Sequence, residues 1–353
     1  MSLVEKCVGI DPNVRKPLEI GLIWEGNYWD DQDVHDCCEL DWETCEILVR
    51  KIAKALLQTY SPVDFSTRDP AEKESVLIFL PKIMQLPLTI LATYRAGLVA
   101  IILDPLTTKT EILEEVLLAE QPKLVITVDA FWQAQELIQV KNRVEDLRGM
   151  EDTQLLVIRH VAPNSGVPPP RKHFPARRPS YKCSLDLRNG KDLEWSTVMS
   201  ETQIDDSGRP EFEWKKQDVV VKFYNENEGR CTSVSKSQLL SSMEIKRMGL
   251  DAKMRETDGS VENLMVLDAP NDLETLVQFL VPWYLGKAMT LYEGPLDYPD
   301  SSRLSQIIAK HSINVLLGSR SNYRIPNPEY LKFFATPTLK FVDFPTHFPH
   351  FSD

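Results

Sequence analysis

From residue 75 onward the chain alternates between short apolar runs and longer amphipathic stretches, and that rhythm is the strongest structural signal it carries. Residues 76–80, 98–103, 124–128 and 154–159 are dense in aliphatic side chains and too short for helices, which predicts strands buried on both faces. Residues 87–94, ended by Gly97, together with 109–119 and 131–147, space their apolar positions at helical intervals and predict the intervening helices. Such alternation with short connections requires a parallel sheet with right-handed crossovers. The pattern resumes downstream, with strands expected at 261–267, 287–292 and 313–317 and helices at 273–283 and 301–310. Upstream, 18–24 is a further strand candidate. Asp41 is placed to cap a helix that sets Leu48, Ile52, Ala55 and Leu56 on one face and closes near Tyr60.

The central unit spans residues 218–250. Val219, Val220 and Val221 lead through Phe223 and Tyr224 into a strand that stops at Asn225, and a polar loop, 225–233, follows. Ser235 with Gln238 three residues later has the signature of a capping box, ahead of Leu239, Leu240, Met243 and Met248, with Gly249 as the expected stop. In doubly wound proteins such a strand–loop–helix turn lies at the carboxyl end of the sheet, where helix N–H groups hold phosphates. The expected fold class is therefore α/β, with doubly wound parallel sheets and flanking helices. Residues 1–160 read as an N-terminal α/β subdomain and 183–325 as a second one. Between them, 161–182 holds Pro168, Pro169 and Pro170 and a basic run including Arg171, Lys172, Arg177 and Arg178. This segment reads as an exposed loop of polyproline character, either a docking patch or, more simply, a surface insertion. Residues 326–353 form a tail of interspersed Pro and Phe.

Composition narrows the function classes. A net charge of -12 and a pI near 5.1 argue against a nucleic-acid or anionic-membrane binder, because both surfaces repel an acidic protein. No N-terminal apolar leader or 18-residue apolar run is present and only six cysteines occur, so the expectation is a cytoplasmic protein with reduced thiols and no membrane span. His35, Cys37, Cys38 and Cys45 cluster, but their spacing fits no standard zinc pattern, and the bland reading, ordinary thiols, is preferred. Asn225, Glu226, Asn227 and Glu228 lack calcium-loop spacing and read as a solvated acidic loop. Hydrolase elbow, zinc-protease, Walker and dinucleotide motifs are all missing.

Several segments resemble the AMP-forming acyl-CoA synthetases, most closely the N-terminal part of acetyl-CoA synthetases. They are Trp24-Glu25-Gly26 with Tyr28 and Trp29, Leu91-Ala92-Thr93-Tyr94-Arg95-Ala96-Gly97, Ile126-Thr127-Val128-Asp129, residues 192–198 with Trp195, and Pro282, Gly286, Glu293, Gly294, Tyr298 and Pro299. The loop 225–233 takes the position of the family's Thr/Ser/Gly-rich phosphate loop. Thr232 and Ser233 stand where that loop ends in Pro-Lys, and Gly229 is the single glycine in it. The resemblance assigns phosphate and cofactor contacts to Thr232, Ser233 and Lys236, and it implies ATP with Mg²⁺ and coenzyme A as cofactors of an active member. It also implies that Trp283 or Tyr284 lines an acyl pocket, although large aromatics in apolar helices are more often core.

The same residues point away from activity. Glu226 and Glu228 put carboxylates where phosphates would sit, the basic run expected after Asp129 is replaced by Ala130-Phe131-Trp132-Gln133, and the family's adenosine contacts and catalytic lysine would lie past Asp353. The expectation is a truncated, degenerate member with no catalytic residues and no bound cofactor, acting as a pseudoenzyme or interaction module. It would use a protein partner or self-association through its C-terminal region. The competing expectation is an AMP-forming acid-thiol ligase that retains nucleotide or acyl binding and is completed by another chain.

Overall fold

A computed structural model describes residues 2–29, 35–60, 74–163, 183–204, 212–318 and 338–343. In chain order these form α1 (Leu3–Val8), β1 (Ile20–Trp29), β2 (His35–Asp41), α2 (Trp42–Tyr60), β3 (Ser75–Phe79), α3 (Gln85–Ala96), β4 (Val99–Leu103), α4 (Thr110–Glu120) and β5 (Leu124–Val128). There follow β6 (Phe131–Gln133), β7 (Glu136–Ile138), α5 (Val140–Val144), β8 (Gln154–Ile158), β9 (Asp192–Glu194), α6 (Trp195–Glu201), β10 (Val219–Asn225) and β11 (Arg230–Ser235). The last are α7 (Lys236–Arg255), β12 (Asn263–Val266), α8 (Leu273–Tyr284), β13 (Ala288–Tyr292), α9 (Arg303–Lys310), β14 (Val315–Leu317) and β15 (Phe341–Asp343).

Two large sheets result, one in the order β15-β14-β12-β13-β1-β2 and the other β11-β10-β4-β3-β5-β8-β9. Each is parallel except for one antiparallel edge strand, β2 in the first and β11 in the second. Strands β3, β4, β5 and β8 are buried along nearly their whole length, as continuous apolar runs sandwiched between helices must be. Segments 1–160 and 183–325 both supply strands to both sheets, so the boundary expected at 161–182 does not separate one sheet from the other. One apolar cluster runs through both sheets, from Leu22 and Trp24 to Ile101, Val221 and Leu264.

Helix α8 is buried in this core from Thr275 to Tyr284. Asp272 caps it by accepting the Thr275 N–H, and Trp283, fully buried, donates its indole N–H to the Gly21 carbonyl at 2.7 Å. Trp283 and Tyr284 are thus core side chains here, with the Tyr284 hydroxyl accepting from Lys6 at 2.6 Å. Gly21 permits this packing, because a Cβ there would come within 2.8 Å of the Trp42 ring. At Gly97 the backbone turns left-handed, with φ of 77°, and ends α3 as the sequence predicts.

Three expectations need correction. Residues 131–147 form a hairpin, β6 with β7, and then the short helix α5. The turn residue Ala134 adopts φ of 54° and is held by a reciprocal pair of hydrogen bonds with the Asn27 side chain, a tertiary contact that overrides the helical spacing. Gly249 does not stop α7, which continues to Arg255 because Leu250 still has core to bury. Residues 230–233 are not loop but the first part of β11. Most of the basic proline segment, and the tail on either side of 338–343, lie outside the described residues. Within the tail, β15 adds in parallel to β14, and Leu339 and Val342 pack on the cluster around Ile307 and Leu316.

Candidate functional site

The residues assigned by sequence to phosphate binding sit on the hairpin β10–β11 and the start of α7. The Asn225 carbonyl accepts from the N–H groups of Glu228 and Gly229, and its side chain accepts from Asn227 N–H at 3.0 Å. Gly229, with φ of 62°, lets the chain reverse into β11. Thr232 then pairs with Phe223 and Ser233 with Lys222. Both are exposed, and as consecutive strand residues their side chains project to opposite faces of the sheet. Lys236, half-buried at the start of α7, donates at 2.7 Å to the Trp214 carbonyl. The first turn of α7 is closed on itself, since Ser235 Oγ accepts from Gln238 N–H and Gln238 Oε1 accepts from Ser235 N–H.

Carboxylates surround this hairpin. Glu228 pairs with Arg230 at 2.9 Å, Glu120 with Lys222 at 2.6 Å, and Glu115 accepts from the Tyr224 hydroxyl at 2.7 Å. That hydrogen bond raises the Tyr224 phenol above its ordinary range. Burial, reinforced by Glu120, pushes the Cys231 thiol up to about 12. Burial thus keeps the Cys231 thiol protonated.

A second polar constellation lies where parallel strands of both sheets end. Glu25 on β1 pairs in register with Tyr292 on β13, and Glu293 follows immediately. Fully buried Glu25 accepts from Arg303 at 3.0 Å, Lys310 at 2.7 Å and His311 Nε2 at 2.8 Å. Burial pushes this carboxyl up, but the hydrogen bonds from His311 and Lys310 and the charges of Lys310 and Arg303 outweigh it, leaving the group below the usual carboxylate range. Glu293, also buried, meets His160 Nε2 with both oxygens at 2.9 Å, which ties the first sheet to the turn after β8. That turn is clamped by Asp129, whose carboxylate accepts the N–H groups of Ala130, His160, Val161 and Ala162. A carboxylate–imidazole pair can pass a proton, but this one is closed to solvent, with the Glu293 side chain 0% and the His160 side chain 8% exposed.

Neither His160 nor His311 stands in a recognisable sequence motif, so this constellation is not legible from the residues alone. Its one trace there is the pair of Glu-Gly dipeptides, Glu25-Gly26 and Glu293-Gly294, at the ends of two predicted strands. A separate half-open cavity of about 470 Å³ is lined by residues including Lys141, Glu145 and Arg188, and Thr232, Ser233 and Lys236 take no part in it. Among the described residues no group of three or more His, Cys, Asp or Glu is arranged to hold a metal, and no helix is long and apolar enough to cross a membrane. Burial raises the Cys37 and Cys38 thiols and pushes Cys45 to about 12.

No protein-family model matches the sequence. Two uncharacterized proteins of Caenorhabditis elegans do match it. ZK112.6 is 65% identical over 145 residues, covering 41% of this chain and 95% of its own length. The chain belongs to the ZK112.6 family. ZK112.5 is 53% identical over 147 residues, covering 40% of this chain and 90% of its own. Among solved structures, an acyl-CoA synthetase from Brucella canis superposes with a TM-score of 0.65 at 14% identity, over 97% of this chain. This member of the ZK112.6 family spans 56% of the length of that synthetase and has an acyl-CoA synthetase-like fold.

Proposed function

We propose that the protein is a catalytically silent chain of acyl-CoA synthetase fold that serves as an interaction module. The observation that carries this reading is the hairpin at the phosphate-loop position. Its two hydroxyl residues lie in a strand on opposite faces, its turn carries Glu226 and Glu228, and Ser235 with Gln238 occupies donors at the start of α7. A carboxylate 4 Å from a phosphate oxygen repels it by about 1 kcal/mol in water and ~4 kcal/mol at an effective dielectric of 20. Arg230, already paired with Glu228, offsets only part of that.

The test is pyrophosphate exchange with ATP, Mg²⁺ and a panel of short and medium carboxylic acids, alongside thermal-shift titration with ATP–Mg²⁺ and coenzyme A. No acid-dependent exchange and no rise in melting temperature are expected. Exchange above background that disappears in Lys236→Ala or Thr232→Ala would overturn the reading. The acyl-CoA synthetase-like fold also suits a second reading, a ligase completed by another chain. Exchange that arises only when a second polypeptide is added would favour it.

A further inference from the structure

Asn189 and Gly190 form the single Asn-Gly step in the sequence. Both are exposed at the tip of the turn that leads into β9. The turn closes on the Arg188 carbonyl, which accepts the N–H groups of Lys191 at 3.2 Å and Asp192 at 3.0 Å. Its return limb is anchored, since the Lys191 carbonyl accepts from the Leu155 N–H on β8 at 3.1 Å. Gly190 has φ of 75°, and a Cβ built there would meet nothing within 4 Å. Among the described residues no acceptor takes its N–H.

That open nitrogen sets Asn189 apart. Four other described asparagines are exposed, Asn13, Asn142, Asn227 and Asn271. The N–H that follows each is engaged. Val14 donates to the Asp11 carbonyl at 2.8 Å, Glu228 to the Asn225 carbonyl at 3.1 Å and Asp272 to Thr275 Oγ1 at 3.0 Å, while Arg143 lies inside α5. Each of these followers also carries a side chain that crowds its nitrogen, as Gly190 does not.

We infer that Asn189 is a self-modification site, which converts without an enzyme to aspartate and isoaspartate and thereby loosens the start of β9. The Gly190 nitrogen, its proton surrendered to hydroxide, attacks Asn189 Cγ. A new C–N bond closes a five-membered imide ring, and the Cγ–Nδ2 bond breaks as Nδ2 takes a proton from water and leaves as ammonia. Water, the only co-reactant, then adds to one of the two imide carbonyls. Addition at Cγ gives aspartate; addition at the backbone carbon gives isoaspartate, whose main chain runs through Cγ. Nucleophile and electrophile are neighbours in one chain, so no cost of encounter remains. Either product places a new carboxylate beside Arg188, whose guanidinium donates to Asp192 at 2.9 Å. Isoaspartate also lengthens the main chain of the turn by a methylene, which displaces the Lys191 and Asp192 N–H groups from the Arg188 carbonyl.

The test is incubation of the whole chain at mildly alkaline pH, followed by isoelectric focusing and by digestion with an endoproteinase that cuts before aspartate. An acidic shift is expected, growing at a rate proportional to hydroxide concentration. Cuts before Asp186 and Asp192 free the peptide 186–191; its isoaspartate form gains one mass unit, and its aspartate form is cut again before residue 189. Asn189→Gln, which requires a larger ring, and Gly190→Ala, which crowds the nitrogen, should each remove most of the shift. Melting temperatures confirm that both variants fold. In the converted protein, hydrogen exchange should quicken at Lys191 and Asp192. Conversion at residue 189 no faster than at Asn13, Asn142, Asn227 and Asn271, or a shift that persists in both variants, overturns the inference. Unchanged exchange at Lys191 and Asp192 overturns the loosening of β9.

Discussion

Removing the Glu25 carboxylate is the sharpest test of how the core is held together. Glu25 and Arg303 are both fully buried, and Lys310 and His311 complete the carboxylate's partners. Glu25→Met therefore leaves a guanidinium inside the protein without its counter-charge, a change that typically costs about 3–5 kcal/mol. In a chain of this length each kcal/mol lowers the melting temperature by about 1.3 °C, so a fall of about 4–7 °C is expected. Urea titration should show the loss as a lower midpoint with unchanged slope. If the cost is mainly the stranded Arg303, Glu25→Met combined with Arg303→Met should lose less than the two single changes added together, by about 1–3 kcal/mol. The pH dependence follows from the lowered carboxyl. Its contribution is complete above the ordinary value of 4.5 and is lost as pH falls through the folded value below it. Glu25→Gln should accordingly flatten the acid limb of the stability curve. A single variant costing under about 1 kcal/mol, or strictly additive losses, would refute the argument.

Three further outcomes are expected. Asp343→Asn breaks the two ion pairs from α7, Lys246 and Lys253; both lysines are partly exposed, so the loss should be only about 1 kcal/mol, smaller in high salt, and hydrogen exchange should quicken at Val315–Leu317 before the rest of the sheet. Trp283→Phe removes the donor to Gly21 and should cost about 2 kcal/mol in denaturant titration; a change below 0.5 kcal/mol would mean the bond is replaced. Gly97→Ala forces a side chain into a left-handed backbone and within 2.5 Å of the Phe212 ring, so a loss of at least about 1 kcal/mol is expected, and an unchanged melting temperature would contradict the described packing.

The strands of the second sheet were legible because a strand buried on both faces has no choice but to be a short apolar run, as at Val76, Ile101 and Val125. What stayed hidden is what depends on distant partners. The turn at Ala134 has no glycine or asparagine to announce it and exists because Asn27, far away in sequence, bonds its backbone. The polar run Cys231–Thr232–Ser233 has loop composition, and only pairing with β10 makes it a strand. The sheet partition was equally unreadable, since apolar periodicity says that β1 must be buried but not that its neighbour is β13. For the polar constellation, sequence showed two Glu-Gly strand ends, while the meeting of Glu293 with His160 needed both sheets in place.

That interleaved connectivity has a consequence for biogenesis. β1 pairs with β13, from Leu22 with Met289 to Glu25 with Tyr292, so about 260 residues must leave the ribosome after β1 before its neighbour exists. At roughly 5–20 residues per second the interval is on the order of 13–50 s. Throughout it, β1 has only β2 and α2 for company, while β3, β4, β5 and β8 can already assemble from consecutive chain. The nascent polypeptide should therefore present Leu22 and Trp24 to chaperones until translation passes β13, and ribosome-bound intermediates stalled before residue 288 should be captured by a holdase that releases them once stalling is moved beyond 292.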